Sequence, residues 1–77
     1  MGNSDGICNV GYCYHNGYGV EKDEHKAFLY YQMSAEMGNA LAFNDLGFCY
    51  ANGVGVERDE QTSLIYYQKA VKMITGI

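Results

Sequence analysis

Apolar residues recur along this chain at helical spacing. Between Ser4 and Asn16 they fall at Ile7, Val10, Gly11 and Tyr14, and further on at Phe43, Leu46, Gly47 and Tyr50. The i, i+3, i+4, i+7 rhythm puts each set on one face of an amphipathic helix. A second kind of stripe runs from Asp23 to about Met37 through Ala27, Tyr30, Tyr31, Ser34 and Ala35. Its copy runs through Ser63, Tyr66, Tyr67, Ala70 and Val71. Four helices are predicted. Gly11 and Gly47 stand inside the stripes, where glycine costs up to about 1 kcal/mol relative to alanine. Their recurrence predicts a helix crossing too close to admit a side chain.

The stripes repeat because the chain does. Gly11 and Gly47, Cys13 and Cys49, Tyr14 and Tyr50, and Asp23 and Asp59 all stand 36 residues apart, and 13 of the 22 positions from 11 to 32 are identical to those from 47 to 68. Met1-Gly2-Asn3-Ser4 lies over Met37-Gly38-Asn39-Ala40. A fixed period of this length marks a solenoid. The predicted organisation is a single domain over 1–77, with a first repeat over about 1–36, a second over about 37–72 and a short tail over 73–77.

The segments joining the helices are nearly the same segment used twice, NGYGVEKDE from Asn16 and NGVGVERDE from Asn52. Gly17 and Gly53 are placed to stop a helix, and Gly19 and Gly55 permit a second unusual backbone angle. Val20 and Val56 are apolar in a polar connection and are expected to tuck beneath it. Asp23 and Asp59 stand where an N-cap is needed, since a short side-chain oxygen there accepts from the free N–H groups of the first turn. Glu24 and Glu60 suit the positive end of the helix dipole. Gly38 is positioned to end the second helix. The loop is the corner of a helix–turn–helix hairpin, and it occurs twice because the hairpin does.

Composition narrows the function classes. The net charge is −4 and the five basic residues are scattered, which argues against a grip on nucleic-acid phosphates and against a basic membrane-surface helix. No run approaches membrane-spanning length, so direct membrane insertion is not expected. The start lacks the cationic and apolar regions of a secretory signal, and Gly6 stands where a myristoylation pattern wants Ser or Thr. Three cysteines is an odd number, which disfavours a disulfide framework. Cys13 and Cys49, one repeat apart, are expected to be reduced thiols acting as small apolar residues. The expected setting is intracellular and cytoplasmic.

At these residues the chain resembles the Sel-one-like repeat family, a relative of the tetratricopeptide repeats. NVGYCYHNGYGVEKD from Asn9 to Asp23, then KAFLYYQMSAEMG from Lys26 to Gly38, follow that family's pattern, and DLGFCYANGVGVERD from Asp45 with TSLIYYQKAVKMI from Thr62 follow it again. The resemblance covers nearly the whole chain. Asp5 and Gly6, Thr62-Ser63 and Ile74 depart from the pattern, so both ends look degenerate. A cysteine-rich secreted branch of the family bridges its helix pairs with disulfides, and this chain has no cysteine in either second helix. The resemblance implies an all-α fold, an α/α right-handed superhelix of two helix–turn–helix repeats. It also implies an adaptor that binds proteins or peptides, without catalysis in the core repeat.

In that family the first helix of each hairpin lines the concave face. Asn9, Tyr12 and Asn16 stand at i, i+3, i+7 beside the first stripe, and Asp45, Phe48 and Asn52 repeat them. Amide side chains there suit a peptide backbone and the aromatics supply contact area. Sharper chemistry has little support. The Gly-x-Gly pairs lack the third glycine and preceding strand of a dinucleotide fingerprint. Cys8, Cys13, His15 and His25 match no zinc spacing, so no metal or cofactor is expected. Helix capping explains Asp23-Glu24 and Asp59-Glu60 better than paired catalytic acids do. Core packing explains Tyr30-Tyr31 and Tyr66-Tyr67 better than a stacking platform for bases or sugars. Two other roles stay open, a structural piece of a longer array and a small hydrolase. Val71, Met73, Ile74 and Ile77 leave apolar surface on the last helix, which predicts marginal stability and end-to-end self-association.

Overall fold

The computed structural model describes residues 3–76. Met1 and Gly2, where the repeat alignment starts, and Ile77, the last residue of the expected apolar end, lie outside the described residues. The elements are α1 (Ser4–Asn16), α2 (Glu24–Glu36), α3 (Ala40–Asn52) and α4 (Glu60–Thr75). The α1 helix packs on α2 and α3 on α4 as two antiparallel hairpins, and α2 against α3 joins them. The result is a helical solenoid of two stacked α/α hairpins, a slab measuring 38 × 33 × 15 Å. No described helix is long and apolar enough to cross a membrane.

Each hairpin closes on a glycine. A Cβ at Gly11 would stand 3.0 Å from the Tyr31 ring, and one at Gly47 would stand 2.9 Å from the ring of Tyr67, the repeat-equivalent tyrosine. Tyr31 is 1% exposed and fills the space that the missing side chain leaves. In the second hairpin, Ser63 Oγ also donates to Gly47 O at 2.8 Å, so the crossing is close enough for a side-chain hydroxyl to reach backbone across it.

The α2 and α4 helices begin on aspartates. Lys26 N–H donates to Asp23 Oδ1 at 3.1 Å, and Thr62 N–H donates to Asp59 Oδ1 at 3.2 Å while its hydroxyl donates to Asp59 Oδ2. The α1 and α3 helices end on Gly17 and Gly53 in the left-handed region, at φ 74° and 70°. Asp23 N–H then reaches back to Tyr14 O, and Asp59 N–H to Tyr50 O, which closes each corner. Such a backbone tie satisfies groups that the end of a helix leaves free.

Two sequence expectations fail here. Val20 does not tuck under its loop and is 39% exposed, whereas Val56, partly buried, packs against the core as expected. The buried residue is Val54, between the two loop glycines, because the second loop lies against the first hairpin. The first stripe is also displaced: Val10 is exposed, and Cys8 is buried with Gly11. Cys8 faces α3 of the next hairpin, a contact that the rhythm of one helix cannot reveal.

The hairpins meet through Cys8, Phe28, Ala35, Ala42, Leu46 and Val54. A polar cluster reinforces the junction. Asn39 caps α3 by accepting from Ala42 N–H, and its amide donates to Asp5 Oδ1 at 2.7 Å and Ser4 Oγ at 3.2 Å. Ser34 Oγ donates to Ser4 O at 2.7 Å. Asp5, a departure from the family's pattern, therefore has a partner across the repeat boundary. Beyond this cluster the aromatics continue the stack, with Tyr30 on Tyr14 and Tyr66 on Tyr50 face to face at 5.6 and 5.5 Å.

Candidate functional site

Where α1 and α3 run side by side, they frame a depression of about 190 Å³ lined by Tyr12, His15, Tyr31, Asp45 and Phe48. Its walls come from both repeats. Tyr12 and Phe48 occupy equivalent positions and are half-exposed, at 51% and 43%. Tyr12 is braced edge-on by Tyr18, with ring centroids 5.7 Å apart. His15 stands between the repeats, 5.6 Å from the Phe48 ring and 6.4 Å from the buried Tyr31 ring.

Asp45 supplies the only carboxylate of the lining. The Cys8 thiol donates to its Oδ2 at 3.1 Å. Partial burial raises the Asp45 pKa above the ordinary carboxylate value, against the opposing pull of the Cys8 hydrogen bond and His15. Burial, and then Asp45 beside it, pushes the Cys8 thiol up to about 12. Burial also pushes Cys49 up to about 12. Both are thus protonated at neutral pH, and a thiol held protonated is a poor nucleophile and a poor metal ligand. Among the described residues no group of three His, Cys, Asp or Glu side chains converges as a metal site.

Of the six residues expected to meet a peptide, Tyr12, Asp45 and Phe48 come together here. Asn9, Asn16 and Asn52 are exposed and lie outside the lining. Asn16 and Asn52 each turn the amide back onto their own helix, donating to Tyr12 O at 2.9 Å and Phe48 O at 3.0 Å. His15 and Tyr31 are the lining residues outside the expected six, and Cys8 stands behind the lining as the donor to Asp45. Cys8 and His15 are signalled in the sequence, because Cys8, Tyr12 and His15 stand at i, i+4, i+7, a second stripe beside the first.

Comparison with known proteins gives concordant findings. A family model described as Sel1 repeat matches twice, over residues 4–39 and 40–73. The crystal structure of a Sel1 repeat protein from Oxalobacter formigenes is similar with a TM-score of 0.88 and 34% sequence identity, over 91% of this chain. The aligned part makes up 29% of that protein's chain. A search among curated proteins finds no match.

Proposed function

The chain belongs to the Sel1 repeat family, whose repeats generally mediate protein–protein interaction, and on that premise we propose that it is a non-enzymatic scaffold module binding a protein segment across the α1–α3 face. The observation that carries this reading is the depression between Tyr12 and Phe48, built from both repeats and lined mainly by aromatic rings. Half-exposed aromatics around a small concavity are the usual anchors of a protein interface. Asn16 and Asn52, bonded to the carbonyls of Tyr12 and Phe48, add polar groups beside it suited to an extended backbone. The buried, unpaired thiols of Cys8 and Cys49 support a reducing compartment.

The test is peptide binding by the whole chain. Tyr12→Ala and Phe48→Ala should each weaken binding about tenfold or more while helical circular dichroism is retained. Loss of helicity in both variants would make these residues core, and unchanged binding in both would remove the face from consideration.

A second contact is supported by α4. Leu64, Ile65, Val71 and Ile74 are 59%, 56%, 58% and 67% exposed. Leu64 is the repeat equivalent of Phe28, against which the second loop packs. The first loop of a second copy carries the same Gly-x-Gly backbone and fits the same use. End-to-end self-association is therefore proposed, and light scattering across a hundredfold dilution reads it directly. A monomer at every concentration would exclude it.

A further inference from the structure

The depression on the α1–α3 face is too small for a drug-sized ligand, whose pockets start near about 300 Å³. At about 190 Å³ it suits a single long side chain. Its surfaces differ in character. Tyr12 and Phe48 are open aromatic flanks, Tyr31 is fully buried, and Asp45 is a half-buried carboxylate.

No lysine or arginine of the chain serves that carboxylate. Lys22 pairs with Glu24, and Arg58 pairs with Glu60. Lys26 lies 5.3 Å above the Tyr14 ring and Lys69 lies 5.4 Å above Phe43. Lys72 is in the last turn of α4. Two further depressions, of about 320 and 240 Å³, each carry lysine, Lys22 and Lys26 in one and Lys69 in the other. The α1–α3 depression carries none. The titratable groups around Asp45 are Cys8 and His15 of α1, Tyr31 of α2 and Cys49 of its own helix. Only His15 among them can carry positive charge.

We propose that this depression receives a cationic side chain of the bound segment, arginine in preference to lysine, with Asp45 as its counter-charge and the Tyr12 and Phe48 rings against its flat faces. The inference rests on the scaffold reading and names the chemistry that this face selects. A guanidinium is planar, stacks on aromatic rings and matches a carboxylate with paired N–H donors, which an ammonium cannot do. A carboxylate held half-buried without a lysine or arginine is raised in pKa by desolvation, and an arriving cation offsets that penalty. The net charge of −4 favours the approach of a basic partner at long range. The site occurs once, not once per repeat, because the equivalents of Asp45 and His15 are Asn9 and Ala51. It therefore fixes the register of the segment along the face.

A phage-displayed dodecapeptide library selected on the whole chain tests this. Recovered peptides are expected to share an arginine. Replacing that arginine by glutamine should weaken binding about tenfold or more, with lysine intermediate. Asp45→Asn, checked for unchanged helical circular dichroism, should cost the same factor, and the two changes together little more than either alone. Peptides that need Tyr12 and Phe48 but tolerate the arginine-to-glutamine change, or bind Asp45→Asn as tightly, would overturn the cation inference and leave the scaffold reading standing. Recovery of no peptide, or only of peptides indifferent to Tyr12→Ala and Phe48→Ala, would overturn both. The peptide substitutions leave the protein untouched, so they decide the matter even if Asp45→Asn fails to fold.

Discussion

The loops at Tyr18–Val20 and Val54–Val56 share nearly one sequence and one backbone. Gly17 and Gly19 both have φ of 74°, and Gly53 and Gly55 both have φ of 70°. Each corner is closed by the same return bond, from Asp23 N–H to Tyr14 O and from Asp59 N–H to Tyr50 O. Their surroundings differ. A Cβ on Gly19 would meet nothing within 4 Å, whereas one on Gly55 would stand 2.2 Å from Glu24 O and 2.9 Å from Phe28 Cβ. Between the glycines, Tyr18 is 58% exposed and Val54 is 6% exposed. The shape of the loop is therefore a local property, set by its glycines. Its burial is a property of the solenoid, set by whether another hairpin lies beside it. The same glycine serves only the turn in one repeat, and both the turn and the repeat contact in the other.

Substituting the two glycines alike should separate these roles most strongly. At Gly19, valine meets only the left-handed backbone penalty, about 1–2 kcal/mol. At Gly55 it also meets the backbone of α2, and overpacking adds up to about 3 kcal/mol. Gly55→Val should thus cost as much as about 4–5 kcal/mol, close to the whole stability of a domain this small. Urea unfolding of both variants measures it. Equal losses would show that the loop contact contributes nothing beyond turn geometry.

Phe28 and Leu64 are the next pair. Phe28 is 7% exposed under the second loop and edge-on to Tyr50, while Leu64 is 59% exposed. Phe28→Ala should cost about 3 kcal/mol. Leu64→Ala should fall within about 0.5 kcal/mol for a monomer. A larger Leu64 effect that grows with protein concentration would mean that the α4 face is covered by a second copy.

The capping residues Asn39 and Asn3 differ in the same way. Asn39 caps α3 and bonds Ser4 and Asp5 of the other hairpin, whereas the Asn3 side chain makes no cap hydrogen bond. Asn39→Ala should lower stability by about 1–2 kcal/mol and Asn3→Ala by less than about 0.5 kcal/mol, read from thermal melts. Similar small losses would show that the polar junction does not hold the repeats together.

These pairs mark what the sequence made legible. Helix ends, caps and left-handed glycines depend on neighbours a few residues away, so the period and the Gly-x-Gly-Val-x-x-Asp spacing expose them. Inter-repeat burial depends on residues 30 or more positions away. Val54 was therefore overlooked in favour of Val56, and Cys8 was passed over although it donates to Asp45. Three of the five lining residues, Tyr12, Asp45 and Phe48, follow from one repeated face. His15 has no counterpart in the second repeat, so only the i, i+4, i+7 stripe it shares with Cys8 and Tyr12 within α1 points to it.

The smallest effect concerns Asp45 and its repeat equivalent Asn9, the pair in which one position is half-buried and ionisable and the other is exposed and neutral. Burial raises the Asp45 pKa in the folded chain, so the folded state holds that proton more tightly than the unfolded one. Stability should then fall as pH rises from the unfolded aspartate value, about 3.9, through the raised folded value, and stay level above it. Asp59 works in the opposite direction. Hydrogen bonds from Thr62 lower its pKa, so its contribution is complete above the ordinary value and is lost as pH falls through the folded value. The two windows lie on opposite sides of the ordinary carboxylate value, so each can be read separately. Asp45→Asn should flatten the upper window and leave the lower one, making the variant at least as stable as the native chain at pH 7. Asn9→Asp should alter neither, because a carboxylate added there remains in solvent. Melting temperatures taken from pH 3 to pH 8 on the three chains supply the measurement. If Asp45→Asn is less stable at pH 7, the Cys8 hydrogen bond outweighs desolvation, and Asp45 is a structural acceptor rather than a charge held ready for a partner.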